Sequence, residues 1–210
     1  MKISVLQFPG TNCEYDTKYA FEQLGCEVEI IWHKEKNIPE DTDLLVIPGG
    51  FSYGDYLRSG AIARFATIMD SVQAYAAKGG KVLGICNGFQ ILLEAGLLPG
   101  AMKRNDSLHF ISKFHTLKVV DNDNAFLSLL KKDEVLNIPV AHHDGNYYID
   151  SLGLKDLEEN GQILLKYCDN NGSVVNMNGS VSNIAGICNK EKNVFGLMPH
   201  PERAIEELLG

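Results

Sequence analysis

One cysteine of this sequence has the surroundings of a catalytic nucleophile. The segment GICNG, residues 84–88, places a glycine two positions before and two positions after Cys86. The same spacing occurs at a nucleophile elbow, a sharp turn between a strand and a helix that exposes the nucleophile. At such a turn the sulfur lies at a helix N-terminus, whose dipole favours a thiolate. Because cysteine is commonly a buried structural residue, the spacing alone leaves a structural Cys86 open as an alternative.

A base and a carboxylate for such a thiol lie near the end of the sequence. His200 and Glu202 alternate with two prolines in MPHPE, residues 198–202. Proline fixes its own φ and disfavours helix at the preceding residue, so the segment is predicted to be extended. Side chains two positions apart then point the same way, and the carboxylate can hold the imidazole in one tautomer. A helix start with Pro201 in its first turn is a compatible alternative.

A glycine pair supplies candidate donors for a developing oxyanion. Gly49 and Gly50 open the segment GGFSYGD, residues 49–55, after an apolar run. Glycine lets backbone N–H groups approach a substrate closely, and the N–H groups of Gly50 and Asn87 are the two predicted donors. A glycine pair by itself is more often only a turn.

The other cysteines and a histidine pair are expected to have supporting roles. His142 and His143 precede Asp144-Gly145. As a pair at a strand end they could line the site, but a turn or a supporting role is the favoured interpretation. The four cysteines outside the GICNG segment lack its context and are expected to be structural; they are Cys13, Cys26, Cys168 and Cys188.

The elements that position these residues alternate in type over the first half of the chain. Apolar β-rich runs and helical patterns follow one another, which is typical of a parallel sheet with helices on both faces. Ligands of such sheets bind beyond the carboxyl ends of the strands, where residues 48–60, 84–88 and 198–202 are expected to meet. The second half is richer in strands. The predicted strands are Lys2–Phe8, Glu27–Trp32, Asp43–Ile47, Lys81–Cys86, Lys113–Val120, Val135–Ala141, Gln162–Tyr167, Ser182–Cys188 and Val194–Met198, and the predicted helices are Tyr15–Leu24, Gly60–Lys78, Gly88–Ala95, Ser151–Glu159 and Glu202–Leu209.

Composition excludes several classes of protein. The chain has 210 residues, of which 45% are hydrophobic and 22% charged, as in ordinary globular domains. A single domain over residues 1–210 can bury about 70% of the surface of its unfolded chain. The 19 Lys and Arg residues against 27 Asp and Glu residues give a net charge of −8 without a basic block, which argues against a nucleic-acid partner.

Cellular location and cofactors are constrained in the same way. The apolar run before Pro9 is too short for a signal segment, and no run of about eighteen apolar residues occurs, so no membrane partner and a cytosolic location are expected. Five cysteines without a C-x-x-C motif or a His/Cys cluster indicate neither a disulfide framework nor a metal site. A phosphate-binding loop of the Walker type is absent from the sequence.

The cysteine elbow, the upstream glycine pair and the C-terminal His-x-Glu together resemble class I glutamine amidotransferases of the triad type. The resemblance extends to one family among them, the glutaminase subunits of phosphoribosylformylglycinamidine synthase, and covers essentially the whole chain. The segments that carry it are LQFPGTNCEYD at 6–16, PGGFSYGDYLRSGAIAR at 48–64, GICNGFQIL at 84–92, LLPGAMKRNDSLHF at 97–110 and FGLMPHPER at 195–203.

The resemblance implies a role for each candidate residue. Cys86 would attack the side-chain amide of glutamine, His200 would relay protons and Glu202 would orient the imidazole. The N–H groups of Gly50 and Asn87 would stabilise the oxyanion of the reaction. The residues implied to position glutamine are Gln90, Phe51, Asn105, Ser107 and Phe110.

The resemblance also implies a fold and partners. The fold would be a single-domain class I amidotransferase fold, α/β and flavodoxin-like, with a mostly parallel sheet and additional strands in the C-terminal half. The chain itself would hold no cofactor, because ATP and Mg²⁺ belong to a separate synthetase subunit, joined in many bacteria by a small third subunit. The chain departs from its relatives at AHHDGNY, residues 141–147, where they usually carry AHGEGNY, so His143 replaces a glycine.

Two other functions compete with this interpretation. A stand-alone cysteine hydrolase of the γ-glutamyl hydrolase type would keep Cys86 and His200 but gives no reason for the loop PGGFSYGDYLRSG, residues 48–60. A non-catalytic flavodoxin-like module would carry Cys86 only as a structural residue. Labelling of Cys86 by a glutamine-analogue electrophile separates the amidotransferase from both alternatives.

Overall fold

A computed structural model of the chain describes residues 1–206. Helices and strands alternate in its first half, and strands dominate its second half. The strands are β1 (Lys2–Gln7), β2 (Glu27–Trp32), β3 (Leu44–Ile47), β4 (Lys81–Ile85), β5 (Ala101–Lys103), β6 (Ile111–Val119), β7 (Val135–His142), β8 (Asn146–Tyr148), β9 (Ile163–Cys168), β10 (Ile184–Cys188) and β11 (Val194–Leu197), and the helices are α1 (Glu14–Gln23), α2 (Ile68–Ala77), α3 (Asn87–Glu94) and α4 (Ser151–Glu159).

Nine strands form one mixed sheet in the order β2-β1-β3-β4-β11-β10-β9-β6-β7, and β5 pairs with β8 in a separate ribbon. The first five strands in this order are parallel. Every residue of β3 and β11 is buried, which is the reason their sequences are apolar without alternation. Helix α1 packs against β1 and β2, and α3 packs against β3, β4 and β11.

The remaining strands alternate in direction from β11 through β10, β9 and β6 to β7. Because each of these four pairings is antiparallel, β7 runs in the same direction as β11 and ends at the same edge of the sheet. The carbonyl of Pro139 on β7 accepts a hydrogen bond of 2.8 Å from the N–H of His200. The last strand of the sheet therefore folds back over the end of β11.

The core is apolar and extends through both halves of the sheet. Its fully buried aromatic side chains are Phe8, Phe89, Tyr147 and Tyr167. The rings of Phe89 and Tyr147 stack with their centroids 6.0 Å apart, which ties α3 to β8. Within residues 1–206, every helix is too short or too polar to cross a membrane.

The predicted α/β fold is confirmed, and nine predicted strands agree with observed ones to within about two residues. Two strands, β5 and β8, were not predicted; each has three residues, too few for an alternation pattern. The predicted helix Ser151–Glu159 has the observed bounds. Asp150 caps it by accepting a hydrogen bond of 2.7 Å from the N–H of Gly153.

The predicted long helix at Gly60–Lys78 is wrong in its first half. Gly60 has φ +79, outside the helical region, and Ala63–Phe65 forms a single 3₁₀ turn. Ala66 is extended, with φ −65 and ψ 145, and so separates that turn from α2. The helical spacing of apolar residues is thus shared by two short pieces.

The predicted closing helix at Glu202–Leu209 is also not observed over the residues that the structure describes. Pro201–Arg203 forms a 3₁₀ turn, and Ala204 ends it with φ −127 and ψ 33. Residues 207–209 of the prediction lie outside the described range.

Candidate active site

Loops from four parallel strands meet at one edge of the sheet. Strands β1, β3, β4 and β11 all end there, and the loops that follow are residues 8–13, 48–59, 86 and 198–202. In open α/β sheets this edge is the usual place for a ligand. The strand order reverses between β1 and β3, so these loops lie at the topological switch point.

Cys86 occupies the turn between β4 and α3 in a strained conformation. Its φ is 50 and its ψ is −104, a backbone conformation that residues other than glycine rarely adopt. Helix α3 begins at the next residue, so the sulfur lies at a helix N-terminus. The nucleophile elbow predicted from the glycine spacing is present.

The flanking glycines permit this turn because no side chain fits at either position. A Cβ on Gly84 would lie 2.8 Å from the carbonyl carbon and oxygen of Gly88. A Cβ on Gly88 would lie 1.8 Å from the carbonyl oxygen of Ile47, which is far inside contact distance. The spacing of the motif is therefore a steric requirement of packing α3 against β3 and β4.

Gly88→Ala is expected to destabilise the fold by about 3 kcal/mol or more, because β3 or α3 must move to admit the methyl group. The measurement is the free energy of unfolding in denaturant. Gly96→Ala is the control for the added methyl group: no atom lies within 4 Å of its Cβ, although Gly96, unlike the helical Gly88, has positive φ. The control carries only the conformational cost of positive φ, about 1 kcal/mol, which Gly88→Ala does not have, so a larger loss at Gly88 is steric. Equal losses in the two variants would contradict the steric argument.

His200 and Glu202 form a buried pair beside this turn. His200 Nδ1 and Glu202 Oε1 lie 2.7 Å apart, and both side chains are 2% exposed. The contact predicted from the sequence is present, but Pro201 starts a 3₁₀ turn, so the segment is not fully extended. The helix-start alternative and the contact both hold. The other ring nitrogen, Nε2, is buried and has no hydrogen-bond partner within residues 1–206.

The charges around His200 favour its protonated form. Burial alone lowers the pKa of His200, but the Cys86 and Cys13 sulfurs and Glu202 together outweigh that effect and raise it well above its ordinary value. His142 lies close by, and burial, followed by the nearby His200, lowers its pKa to about 4. The pKa values of two neighbouring imidazoles are thus shifted in opposite directions, a pattern typical of acid–base sites.

A cavity of about 650 Å³ brings most of the predicted site residues together. This volume is in the range of small-molecule sites. The Cys86 sulfur lies in it, 3.7 Å from the carbonyl oxygen of Ala141 at the end of β7. The predicted site residues that line it are Gly50, Phe51, Cys86, Gln90, Phe110 and His200.

The two predicted oxyanion donors flank the elbow. Asn87 is the first residue of α3, so its N–H is one of those that have no acceptor within the helix. Gly50 has φ +139, and a Cβ there would lie 2.7 Å from the backbone nitrogen of Asn12. Only glycine can occupy that position without displacing the first loop of the site.

A hydrogen-bond network fixes the wall of the cavity around Gln90. The Asn87 side chain accepts from the N–H of Ser52 at 3.0 Å and donates to Gln90 Oε1 at 2.9 Å. Gln90 Nε2 in turn donates to the carbonyl of Asp144 at 2.7 Å. The loop after β3, helix α3 and the loop after β7 are held together through these two amides.

The structure does not bring two of the predicted substrate contacts, Asn105 and Ser107, into the cavity. The Asn105 side chain is fully buried and donates to the carbonyls of His109 and His142. Its oxygen lies 3.1 Å from Nδ1 of His142 and accepts from the N–H of Gly145. Ser107 is exposed, and its hydroxyl accepts from the N–H of His109. Asn105 therefore holds His142 instead of facing a ligand.

Two residues have a larger part in the site than the sequence favoured. His142 lines the cavity at the end of β7, which was the less favoured alternative to a turn or a supporting role. Cys13 was expected to be structural, but it lines the same cavity, and Arg203 donates to its sulfur at 2.8 Å. The available signal for Cys13 was its position just after the first parallel strand, at the edge where ligands bind.

One group of metal-ligand types occurs within residues 1–206: donor atoms of Cys13, His200 and Glu202 lie within 4.8 Å of one another. These atoms are already paired, because His200 Nδ1 contacts Glu202 and the Arg203 guanidinium contacts the Cys13 sulfur. A cation beside the sulfur disfavours a metal ion there. The cluster is better described as two hydrogen-bonded pairs that lie side by side, His200 with Glu202 and Arg203 with Cys13.

Known proteins share both this sequence and this fold. The family model described as a CobB/CobQ-like glutamine amidotransferase domain matches residues 1–209. Phosphoribosylformylglycinamidine synthase subunit PurQ from Sulfurimonas denitrificans is 68% identical over 100% of this chain and 94% of its own length. The corresponding subunit from Wolinella succinogenes is 64% identical over the same shares.

A solved structure agrees with these sequence comparisons. A chain in the structure of PurLQS from Thermotoga maritima superposes with a TM-score of 0.89 at 43% identity, covering 100% of this chain and 91% of that one. A match of this extent spans the sheet, the elbow and the C-terminal His-x-Glu together. The chain therefore belongs to the glutamine amidotransferase family and, within it, to the PurQ subunits of phosphoribosylformylglycinamidine synthase.

Proposed function

We propose that the chain is the glutaminase subunit of phosphoribosylformylglycinamidine synthase. It hydrolyses glutamine to glutamate and ammonia, and the ammonia goes to a synthetase that converts formylglycinamide ribonucleotide to formylglycinamidine ribonucleotide in purine biosynthesis. The observation that carries the proposal is the strained Cys86 in one cavity with His200, whose imidazole is paired with the buried Glu202. The family membership supports the same conclusion.

The proposed reaction proceeds in two steps through Cys86. In the first, the thiolate adds to the carboxamide carbon of glutamine, and the carbon–nitrogen bond breaks as His200 protonates the leaving nitrogen. Ammonia leaves, and a γ-glutamyl thioester remains. In the second, His200 takes a proton from water, and the hydroxide adds to the thioester carbon. The carbon–sulfur bond then breaks, which releases glutamate as its carboxylic acid and restores the thiolate beside protonated His200; the acid loses its proton to solvent.

The remaining site residues act on charge and position. Glu202 keeps the Nδ1 proton of His200 in place and stabilises the imidazolium that donates a proton in the first step and forms again in the second. The N–H groups of Gly50 and Asn87 receive the oxyanion of the tetrahedral intermediates. Gln90, Phe51 and Phe110 line the cavity and position glutamine, whereas Asn105 acts through His142. Ser107 lies outside the cavity, so the proposal gives it no substrate contact.

The proposed partners supply the other half of the reaction. ATP and Mg²⁺ bind to the synthetase, and no cofactor is assigned to this chain. The match to a chain of the PurLQS structure supports a synthetase and a small third subunit as partners. Ammonia in water near neutral pH is mostly protonated and a poor nucleophile, so transfer through a channel between subunits is the expected arrangement. The assembly is placed in the cytoplasm, where its nucleotide substrates are made.

Glutamine hydrolysis is expected to depend on the partner. The chain alone releases glutamate slowly, and addition of the cognate synthetase and small subunit with ATP raises the rate by about tenfold or more, the size of an ordinary allosteric coupling. Glutamate release is measured with and without the partners, and the partners alone give the background. A chain that reaches its full rate alone would identify a stand-alone hydrolase of the γ-glutamyl type instead.

A further inference from the structure

Cys13 lies beside the imidazole of His200 and accepts a hydrogen bond from the Arg203 guanidinium. It is the residue before α1 and is 1% exposed. The Arg203 guanidinium donates to its sulfur at 2.8 Å, and its S–H group donates to Asn12 Oδ1 at 3.2 Å. Arg203 also lies 3.5 Å from Asp16 on α1. A sulfur that accepts from a guanidinium is fixed in place by a charge-assisted hydrogen bond.

The same sulfur adjoins the pair formed by His200 and Glu202. Its position is within 4.8 Å of a ring nitrogen of His200 and of a carboxylate oxygen of Glu202. Gly49 leaves room for this contact, since a Cβ there would lie 2.8 Å from His200 Cε1 and 3.1 Å from the Cys13 sulfur. The imidazole of His200 thus has both a carboxylate and a sulfur beside it.

The charges explain why a sulfur at this position affects the imidazole. Arg203 follows His200 by three residues, and its cation disfavours a second cation nearby. The Cys13 sulfur contacts the guanidinium and adjoins the ring, so it offsets that repulsion. The other titratable or charged groups near His200 are Cys86, His142 and Glu202. Asp16 lies near Arg203.

We propose that Cys13 is a positioning residue of the glutaminase site, whose sulfur, held by Arg203, stabilises the imidazolium form of His200 together with Glu202. The role rests on the proposed function, because it acts on the proton relay of that reaction. Cys13 forms no bond to the substrate and acts only through His200.

The test compares Cys13→Ala and Cys13→Ser with wild type in the complete complex. Cys13→Ala is expected to lower kcat for glutamine hydrolysis by about 10- to 100-fold with KM little changed, the effect of losing one contact to a charged group. Its alkaline limb of kcat moves to lower pH, because His200 loses its proton more easily. Cys13→Ser restores part of kcat, since its hydroxyl still accepts from Arg203. Cys188→Ala, at a buried cysteine outside the cavity, is the control for loss of packing.

A second measurement is independent of the glutaminase activity. In chain labelled with ¹⁵N-histidine, the titration midpoint of His200 is expected to fall in both Cys13 variants and to stay unchanged in Cys188→Ala. An unchanged His200 titration, or a wild-type pH profile in Cys13→Ala, would overturn the proposal even where hydrolysis itself is established. If Cys13→Ala does not fold, Cys13→Ser gives the same comparison. A wild-type complex that never releases glutamate would instead reject the proposed function.

Discussion

Cys86→Ala is expected to lower the rate of glutamine hydrolysis by about 10³-fold or more, the loss seen when a covalent nucleophile is removed. No other cysteine can replace it, because among the residues that the structure describes only Cys86 combines a positive φ with a helix N-terminus in the cavity. The substitution removes only the sulfur atom and keeps the β-carbon at this buried turn, so the fold is retained. The measurement is glutamate release by the complex with its synthetase.

The same complex gives the control for this loss. Supplied with a high concentration of ammonium in place of glutamine, the complex of Cys86→Ala is expected to make product at the wild-type rate, because the synthetase is intact. A glutamine-analogue electrophile is expected to label wild type at Cys86 and to leave Cys86→Ala unlabelled. Labelling of a different residue, or a variant that still hydrolyses glutamine, would remove Cys86 from the mechanism and leave it a structural residue.

The elbow could be predicted from sequence because its cause is local. Gly84 and Gly88 are required by contacts within one strand–turn–helix unit and with the adjacent strand. The requirement is therefore visible in the sequence as a glycine two positions before and two positions after Cys86. The pairing of His200 with Glu202 is local for the same reason, since two residues separated by one proline meet in either an extended segment or a turn. Both signals are present in fewer than ten consecutive residues.

Other parts of the site depend on contacts between distant segments. His142 is brought to the cavity because β7 folds back over the end of β11, where Pro139 bonds to the N–H of His200. No local pattern encodes that return, since it results from four antiparallel pairings in succession. Cys13 likewise meets His200 only because β1 and β11 end at one edge of the sheet. Its neighbours in sequence give no sign of the contact.

The same distinction explains why two predicted substrate contacts do not line the cavity. Asn105 and Ser107 follow β5, and the family resemblance alone implied that they contact glutamine. The structure shows that every polar atom of the Asn105 side chain is used within the protein, on His109, His142 and Gly145. A polar residue near a site can serve the ligand or the scaffold, and only the partners of its atoms distinguish the two.

Glu202→Gln is expected to lower kcat by about 10²- to 10⁴-fold with a smaller effect on KM, as when the carboxylate of a catalytic triad becomes an amide. The side chains are nearly equal in size, so packing around the buried pair is kept. The amide carries no charge to stabilise the imidazolium and can present its NH₂ group to Nδ1, which favours the wrong tautomer. Steady-state hydrolysis with the synthetase measures both parameters.

The pH dependence gives this prediction a second, directional test. Glu202 is one of the groups that raise the pKa of His200, so its neutralisation lowers that pKa. The protonated form of His200 is present below its pKa and is lost as the pH rises through that value. Because the pKa is lower in the variant, the alkaline limb of kcat moves to lower pH. Glu29→Gln, a glutamate of β2 that bonds to Ser4 and pairs with Lys2, is the control. An unshifted alkaline limb in Glu202→Gln would show that the imidazolium of His200 is stabilised without this carboxylate.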